Sequence, residues 1–63
     1  MPIIEAKLIK GRTAEQKKKF VEAVTKASIE TLGGPPHTHT VILYELEHDM
    51  IAHAGVLFKD EKK

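Results

Sequence analysis

The chain has no cysteine and no tryptophan, and its aromatic residues are one tyrosine and two phenylalanines. Disulfide bonds are therefore excluded. Ten basic residues nearly balance nine acidic ones, which does not fit the strong basic excess of a nucleic-acid binder. No apolar run approaches the roughly 20 residues of a membrane span, and the N-terminus lacks the segments of a signal peptide. We expect a cytoplasmic protein with no nucleic-acid or membrane partner.

The length of the chain bears on how it is stabilised. With 63 residues it has room for a single domain, 1–63. A domain of this size buries only about 60% of the surface that its unfolded chain exposes. Such small folds usually need disulfides, a metal or oligomerisation. The composition, 41% hydrophobic and 30% charged, is otherwise that of a globular protein, so we expect a homo-oligomer.

The first half of the chain predicts a strand followed by a helix. Residues 2–9 alternate apolar and polar side chains over much of their length, as a half-buried strand does. A turn at residues 10–12 leads to Thr13, which with Gln16 three positions later has the form of a capping box. Apolar residues then recur at helical spacing over residues 14–32.

The second half predicts another strand and a small C-terminal element. Gly33 and Gly34 suit a helix C-cap, and the two prolines that follow prevent its continuation. Residues 38–46 indicate a second strand, nearly continuous in apolar residues at its centre. Residues 51–58 fit a small hairpin or an edge strand, and residues 59–63 form a charged tail that we expect to fray.

The order strand, helix, strand defines the expected fold class. Connections of this length imply a right-handed β-α-β unit with parallel strands, which makes the chain an α+β protein. One helix covers only one face of a two-stranded sheet. The other face needs a partner, and self-association supplies one.

Several segments together resemble the 4-oxalocrotonate tautomerase (2-hydroxymuconate tautomerase) family of the tautomerase superfamily. They are Met1-Pro2-Ile3, the run from Leu8 to Lys17, Val41 to Glu45, and the Ala54-Gly55 pair. The resemblance extends from Pro2 to about Phe58. It implies a β-α-β protomer of the macrophage migration inhibitory factor-like fold, with a short C-terminal hairpin. Protomers of this family pair into dimers, and three dimers form a hexamer. Members act on carboxylated enols and ketones without a cofactor or metal.

Pro2 is the catalytic residue that the resemblance implies. Its amine is available only after Met1 is removed, and a small second residue favours that removal. A free α-amino group titrates near ~7.7–8.0. Burial and a neighbouring guanidinium both disfavour the ammonium form, so we expect a lower pKa and a base suited to proton transfer near neutral pH. Without the resemblance, Pro2 would simply begin an edge strand.

Arg12 is the substrate-binding residue that the resemblance implies. Arginine grips a carboxylate through two parallel hydrogen bonds and stays charged near neutral pH. In the family this position binds the substrate carboxylate, often across a subunit boundary. The residue alone would also fit a solvated turn.

Two further substrate-binding positions depart from the family pattern. Thr40 stands where dicarboxylate-specific members have a second arginine, and Ile51 stands where they have an aromatic residue. A threonine offers one hydroxyl and no charge, while an isoleucine keeps an apolar wall. Losing one electrostatic contact to a developing oxyanion costs roughly 10²–10³ in rate. We therefore expect a one-arginine site suited to a monocarboxylate enol of the arylpyruvate type rather than to 2-hydroxymuconate.

Other readings remain open from the residues alone. His37 and His39 would point to one side of an extended segment, where two imidazoles could hold a metal, although no third ligand has diagnostic spacing; we expect no metal. Lys17 and its two lysine neighbours indicate a solvated helix face. A dehalogenase or decarboxylase of small acids would need a group that activates water, for which Glu45 and Glu47 are the nearby carboxylates. A non-catalytic oligomeric binding module that retains Met1 is the other alternative.

Overall fold

The structure is a computed structural model that describes residues 1–61. Its elements follow one another as β1 (Ile3–Ile9), α1 (Ala14–Leu32), a 3-10 helix (Pro36–Thr38), β2 (Thr40–Leu46), β3 (Ala52–His53), β4 (Val56–Leu57) and a second 3-10 helix (Phe58–Asp60). The last two residues of the charged tail predicted over 59–63 lie outside the described residues.

β1 and β2 form a two-stranded parallel sheet. Their register places Ile3 opposite Thr40 at one end and Ile9 opposite Leu46 at the other. The β-α-β prediction is therefore confirmed. The predicted start of the second strand is wrong by two residues, because the backbone N–H and the hydroxyl of Thr38 both donate to the Pro35 carbonyl oxygen, at 3.1 and 2.7 Å, and hold a turn there.

The helix begins and ends where local chemistry predicts. The Thr13 hydroxyl accepts from the Gln16 N–H at 3.1 Å, while the Gln16 side chain accepts from the Thr13 N–H at 2.9 Å. These two bonds form the predicted capping box and satisfy donors that the first helical turn leaves free. At the other end Gly33 adopts a φ of 78° and donates its N–H to the Ile29 carbonyl oxygen.

α1 covers one face of the sheet and leaves the other open. Residues such as Ile4, Leu8 and Leu43 are half-buried on the covered face, while Ile3, Ile42 and Tyr44 are exposed on the open one. Within residues 1–61 no apolar residue is fully buried. The radius of gyration is 14.9 Å, whereas a compact chain of this length has about 11 Å. A single chain therefore does not close a hydrophobic core of its own.

The C-terminal segment forms the hairpin rather than an edge strand. β3 and β4 pair antiparallel, and Phe58 donates its N–H to the Ile51 carbonyl oxygen at 2.8 Å. The connecting residues Ala54 and Gly55 both have positive φ, 52° and 80°, as the tight turn of a two-residue hairpin requires. No helix within residues 1–61 has the length and apolar character needed to cross a membrane.

Candidate active site

Pro2 lies at the corner of the sheet where both strands begin. It is half-buried and lines a groove of about 590 Å³ together with Met1, Thr38 and the loop of residues 32–35. The Pro2 carbonyl oxygen accepts a hydrogen bond of 3.1 Å from the Thr40 N–H. The backbone of Pro2 is thus held by the first residue of β2, and Pro2 lines the groove beside the end of the helix.

Met1 stands at this groove and is 87% exposed. While Met1 is attached, the Pro2 nitrogen belongs to a tertiary amide, which has no basic lone pair. Removing Met1 turns the same nitrogen into a secondary amine at the edge of the groove. The position of Met1 leaves it open to such removal.

Arg12 lies in the turn between β1 and α1. One guanidinium nitrogen donates to the Ile9 carbonyl oxygen at 3.0 Å, which anchors the side chain to the end of the strand. Arg12 is exposed and borders a cavity of about 320 Å³ lined also by Leu8, Gln16, Lys17 and Phe20. A guanidinium has five N–H donors, so most of them remain for a ligand carboxylate.

Pro2 and Arg12 lie beyond opposite ends of β1. The strand runs for seven residues between them, and a strand rises about 3.3 Å per residue, so roughly 20 Å of extended backbone separates the two. Neither side chain spans that distance. Pro2 and Arg12 can contribute to a common site only if they come from different protomers.

The two other predicted site residues divide between these two ends. Thr40 is exposed and lies beside Pro2, as its hydrogen bond to the Pro2 carbonyl shows. Ile51 is half-buried and belongs to the hairpin that follows β2, whose last residue Leu46 pairs with the Arg12 end of β1. Within one protomer the structure therefore brings Thr40 to Pro2 but brings neither Arg12 nor Ile51 there.

Two ion pairs occupy the Arg12 end of the sheet. Lys17 contacts Glu45 at 3.1 Å with both side chains about two-thirds buried, so the prediction of a solvated Lys17 is wrong. Lys10 donates to Glu47 at 2.8 Å, a contact that raises the pKa of Lys10 and lowers the pKa of Glu47. Both carboxylates considered for water activation are thus held by lysines.

The two histidines that sequence spacing placed together are separated by the fold. His37 is exposed on the 3-10 helix, whereas His39 is buried, so the extended segment assumed for a metal pair does not exist. No cluster of three or more His, Cys, Asp or Glu suited to a metal is found in residues 1–61.

His39 forms a contact that the sequence reasoning missed. Its Nδ1 lies 2.6 Å from the Ser28 hydroxyl, and its Nε2 lies 2.8 Å from the Gly33 carbonyl oxygen. The available signal was a serine on the covered stripe of the helix, where a buried polar group needs a partner.

Comparisons with known proteins identify the family of this chain. A family profile described as "Tautomerase enzyme" matches residues 2–61. The 2-hydroxymuconate tautomerase of Bacillus subtilis (strain 168) is 40% identical over 60 residues, which cover 95% of this chain and 97% of that protein.

Solved structures agree as well. The structure of YwhB, a homologue of 4-oxalocrotonate tautomerase, superposes with a TM-score of 0.92 at 38% identity, covering 97% of this chain and 100% of that one. A 4-oxalocrotonate tautomerase isozyme from Methylibium petroleiphilum gives 0.89 at 36% identity over 92% and 91%. The resemblance read from the residues is confirmed: the chain belongs to the tautomerase family, and it is an isomerase.

Proposed function

We propose that this tautomerase interconverts the enol and keto forms of a 2-hydroxy-dienoate or 2-keto acid, with the Pro2 amine as general base once Met1 is removed. The observation that carries the proposal is the placement of Pro2. Its ring lines a groove of about 590 Å³ while its backbone is fixed by the Thr40 N–H. The hydrogen bond fixes Pro2 through its carbonyl oxygen, so the nitrogen, once Met1 is removed, is left available to a ligand in the groove.

The proposed reaction is a proton transfer by one base. The Pro2 nitrogen takes the proton from the enol hydroxyl of a 2-hydroxy-dienoate, and the resulting ammonium returns a proton to the far carbon of the conjugated system. In the reverse sense it takes a proton from the carbon next to the keto group. The carbon that becomes the keto group is oxidised while the carbon that receives the proton is reduced, so the molecule has no net change in oxidation state and the step requires no external redox cofactor.

Arg12 is proposed to hold the substrate carboxylate. Its guanidinium is anchored by a single bond to the Ile9 carbonyl and is otherwise exposed beside a cavity of about 320 Å³. Within one protomer Arg12 and Pro2 lie at opposite ends of β1, too far apart to share a site. We therefore assign each site a Pro2 from one protomer and an Arg12 from another. A two-fold axis perpendicular to β1 would place the end of one strand beside the start of its partner.

The same reasoning leads to a homo-oligomer. Within residues 1–61 no apolar residue is fully buried, and the open sheet face exposes Ile3, Ile42 and Tyr44. Covering such a face is the main favourable term in association. A hexamer built as a trimer of dimers is the assembly that we propose.

Thr40 and Ile51 define the proposed substrate preference. The backbone of Thr40 lies beside Pro2, and its side chain carries a hydroxyl but no charge, while Ile51 in the hairpin region is apolar. A site with one arginine favours a monocarboxylate enol such as an arylpyruvate. The relative from Bacillus subtilis is named for 2-hydroxymuconate, a dicarboxylate, which makes that compound the natural comparison.

The test is to measure the rate of ketonisation by ultraviolet absorbance. Intact mass spectrometry gives the fraction of chains that lack Met1. The expected result is activity in proportion to the Met1-free fraction and nearly none in Pro2→Ala. Arg12→Ala is expected to lower kcat/KM for the carboxylated substrate. Full activity in Pro2→Ala, or in chains that retain Met1, would reject the proline base.

A further inference from the structure

A buried polar cluster lies directly behind the Pro2 groove. Ser28 on α1 and His39 at the start of β2 are 5% and 9% exposed and are the buried polar residues of the described chain. Their side chains approach to 2.6 Å. These two buried polar groups lie at the same end of the sheet as Pro2.

The hydrogen-bond geometry fixes the position of one ring proton of His39. The Gly33 carbonyl oxygen, 2.8 Å from Nε2, can only accept, so Nε2 carries a proton. In the neutral ring Nδ1 then accepts from the Ser28 hydroxyl. The imidazole therefore links α1 at two points, a side chain in its last turns and the carbonyl of its C-cap.

This contact borders the groove without opening into it. Gly33, Gly34 and Thr38 line the groove beside Pro2. A Cβ added at Gly34 would lie 3.7 Å from the His39 Nε2 and 3.6 Å from the Thr38 hydroxyl, so both side chains lie close behind this wall. The residue after His39 is Thr40, which donates its N–H to the Pro2 carbonyl.

A serine–histidine pair also raises the question of a nucleophile. Such a nucleophile must reach a substrate, and neither Ser28 nor His39 lines the groove. Both are buried behind its wall. The pair therefore acts on the site through the residues that it holds.

We propose that His39 is a positioning residue for Pro2. Its Nε2–H bond to the Gly33 carbonyl ties the end of α1 to the start of β2, and so sets the groove wall and the backbone that hold the Pro2 amine against its substrate. This inference rests on the proposed role of Pro2 as the base. The bond to Gly33 is the part that matters for catalysis, while the bond to Ser28 satisfies the buried ring.

Two variants separate the two bonds. In His39→Asn the amide reaches about as far as Nδ1, so the Ser28 contact is kept and the Gly33 contact is lost. In His39→Gln the amide nitrogen reaches about as far as Nε2 and can still donate to Gly33. His37→Asn, at an exposed position two residues away, is the matched control.

The measurement is kcat and KM for each variant, with size-exclusion chromatography to compare assembly. A misplaced catalytic group loses up to about 10²-fold in rate, so we expect His39→Asn to lower kcat by about 10-fold or more. KM should change little, because Arg12 holds the carboxylate. His39→Gln should recover most of that kcat, and His37→Asn should match the wild type. Equal losses in both His39 variants, or none in His39→Asn, would overturn the inference.

A second measurement needs no His39 variant, in case His39→Asn fails to assemble. In the wild type labelled with ¹⁵N-histidine, the His39 Nε2 resonance should move as the Pro2 amine titrates, and in Pro2→Ala, which replaces the secondary amine with a primary one, the midpoint of that movement should shift to the titration of the new amine. A His39 Nε2 chemical shift that does not respond to the titration of the Pro2 amine would refute the positioning role. A Met1-free wild type without tautomerase activity would refute the proposed function instead, so the two failures are distinct.

Discussion

Pro2 and Arg12 flank β1 at opposite ends: Pro2 directly precedes Ile3, and Arg12 follows Ile9 after Lys10 and Gly11. The proposed base and the arginine proposed to bind the substrate carboxylate thus lie at the two ends of one strand, which keeps them apart. A site that needs both is then a property of the assembly. Disrupting the assembly should remove activity even when every site residue is present.

The open face of the sheet offers the first prediction. Ile42 is 37% exposed there, so covering the remaining surface with a partner is worth about 0.5–1 kcal/mol per copy, whereas a lysine there would bury a charge without a partner. Ile42→Lys should therefore dissociate the oligomer and abolish activity, as seen by analytical ultracentrifugation and ketonisation rate. Lys18→Glu, on the exposed part of the helix, is the control and should leave both unchanged. An intact, active Ile42→Lys oligomer would show that this face is not an interface.

Substrate preference supplies the second prediction. Thr40→Arg attaches a guanidinium to the residue whose N–H bonds the Pro2 carbonyl oxygen, at the position proposed to meet the second carboxylate of 2-hydroxymuconate. Restoring one electrostatic contact to a developing oxyanion should raise kcat/KM for that substrate by roughly 10²-fold relative to an arylpyruvate enol. Thr40→Gln, similar in reach but neutral, should produce no such change. A ratio of the two rates that stays constant in Thr40→Arg would remove Thr40 from the substrate pocket.

The ion pair between Lys10 and Glu47 gives a prediction about pH. The contact lowers the pKa of Glu47 below its ordinary 4.5 and raises the pKa of Lys10 above its ordinary 10.5. The stabilisation from Glu47 is therefore present above pH 4.5 and lost as the pH falls through its folded pKa. That from Lys10 is present below pH 10.5 and lost as the pH rises through its folded value.

The measurement is a double-mutant cycle with Lys10→Met and Glu47→Gln, in which denaturant unfolding gives the free energy of unfolding of each variant. Both side chains are at least half exposed, so the coupling at pH 7 should be small. It should disappear near pH 2, where Glu47 is protonated. A coupling of the same size at both pH values would mean that the two residues interact through packing rather than charge.

Local signals predicted much of the fold from the sequence. The bounds of α1 followed from the Thr13 capping box and from Gly33, because these residues satisfy the helix ends through contacts within a few positions. The start of β2 did not follow, since the turn at Thr38 depends on two bonds to Pro35 that an apolar pattern does not encode.

The site was only partly predictable for a related reason. Pro2 and Arg12 could be named from their types and positions in the family pattern. The contact between Ser28 and His39 joins residues eleven positions apart through a buried hydrogen bond, and the pairing of Lys17 with Glu45 connects α1 to β2. Both depend on how α1 lies against β2, which periodicity alone does not determine.

Mixing subunits tests most directly the claim that Pro2 of one protomer works with Arg12 of another. Pro2→Ala and Arg12→Ala are to be unfolded together, refolded, and assayed for ketonisation, with the two oligomers combined without unfolding as the control. Each variant alone should be nearly inactive or strongly impaired. The refolded mixture should regain activity, because some of its sites combine an intact Pro2 with an intact Arg12. A fully assembled mixture that shows only the summed activity of the separate variants would contradict the account.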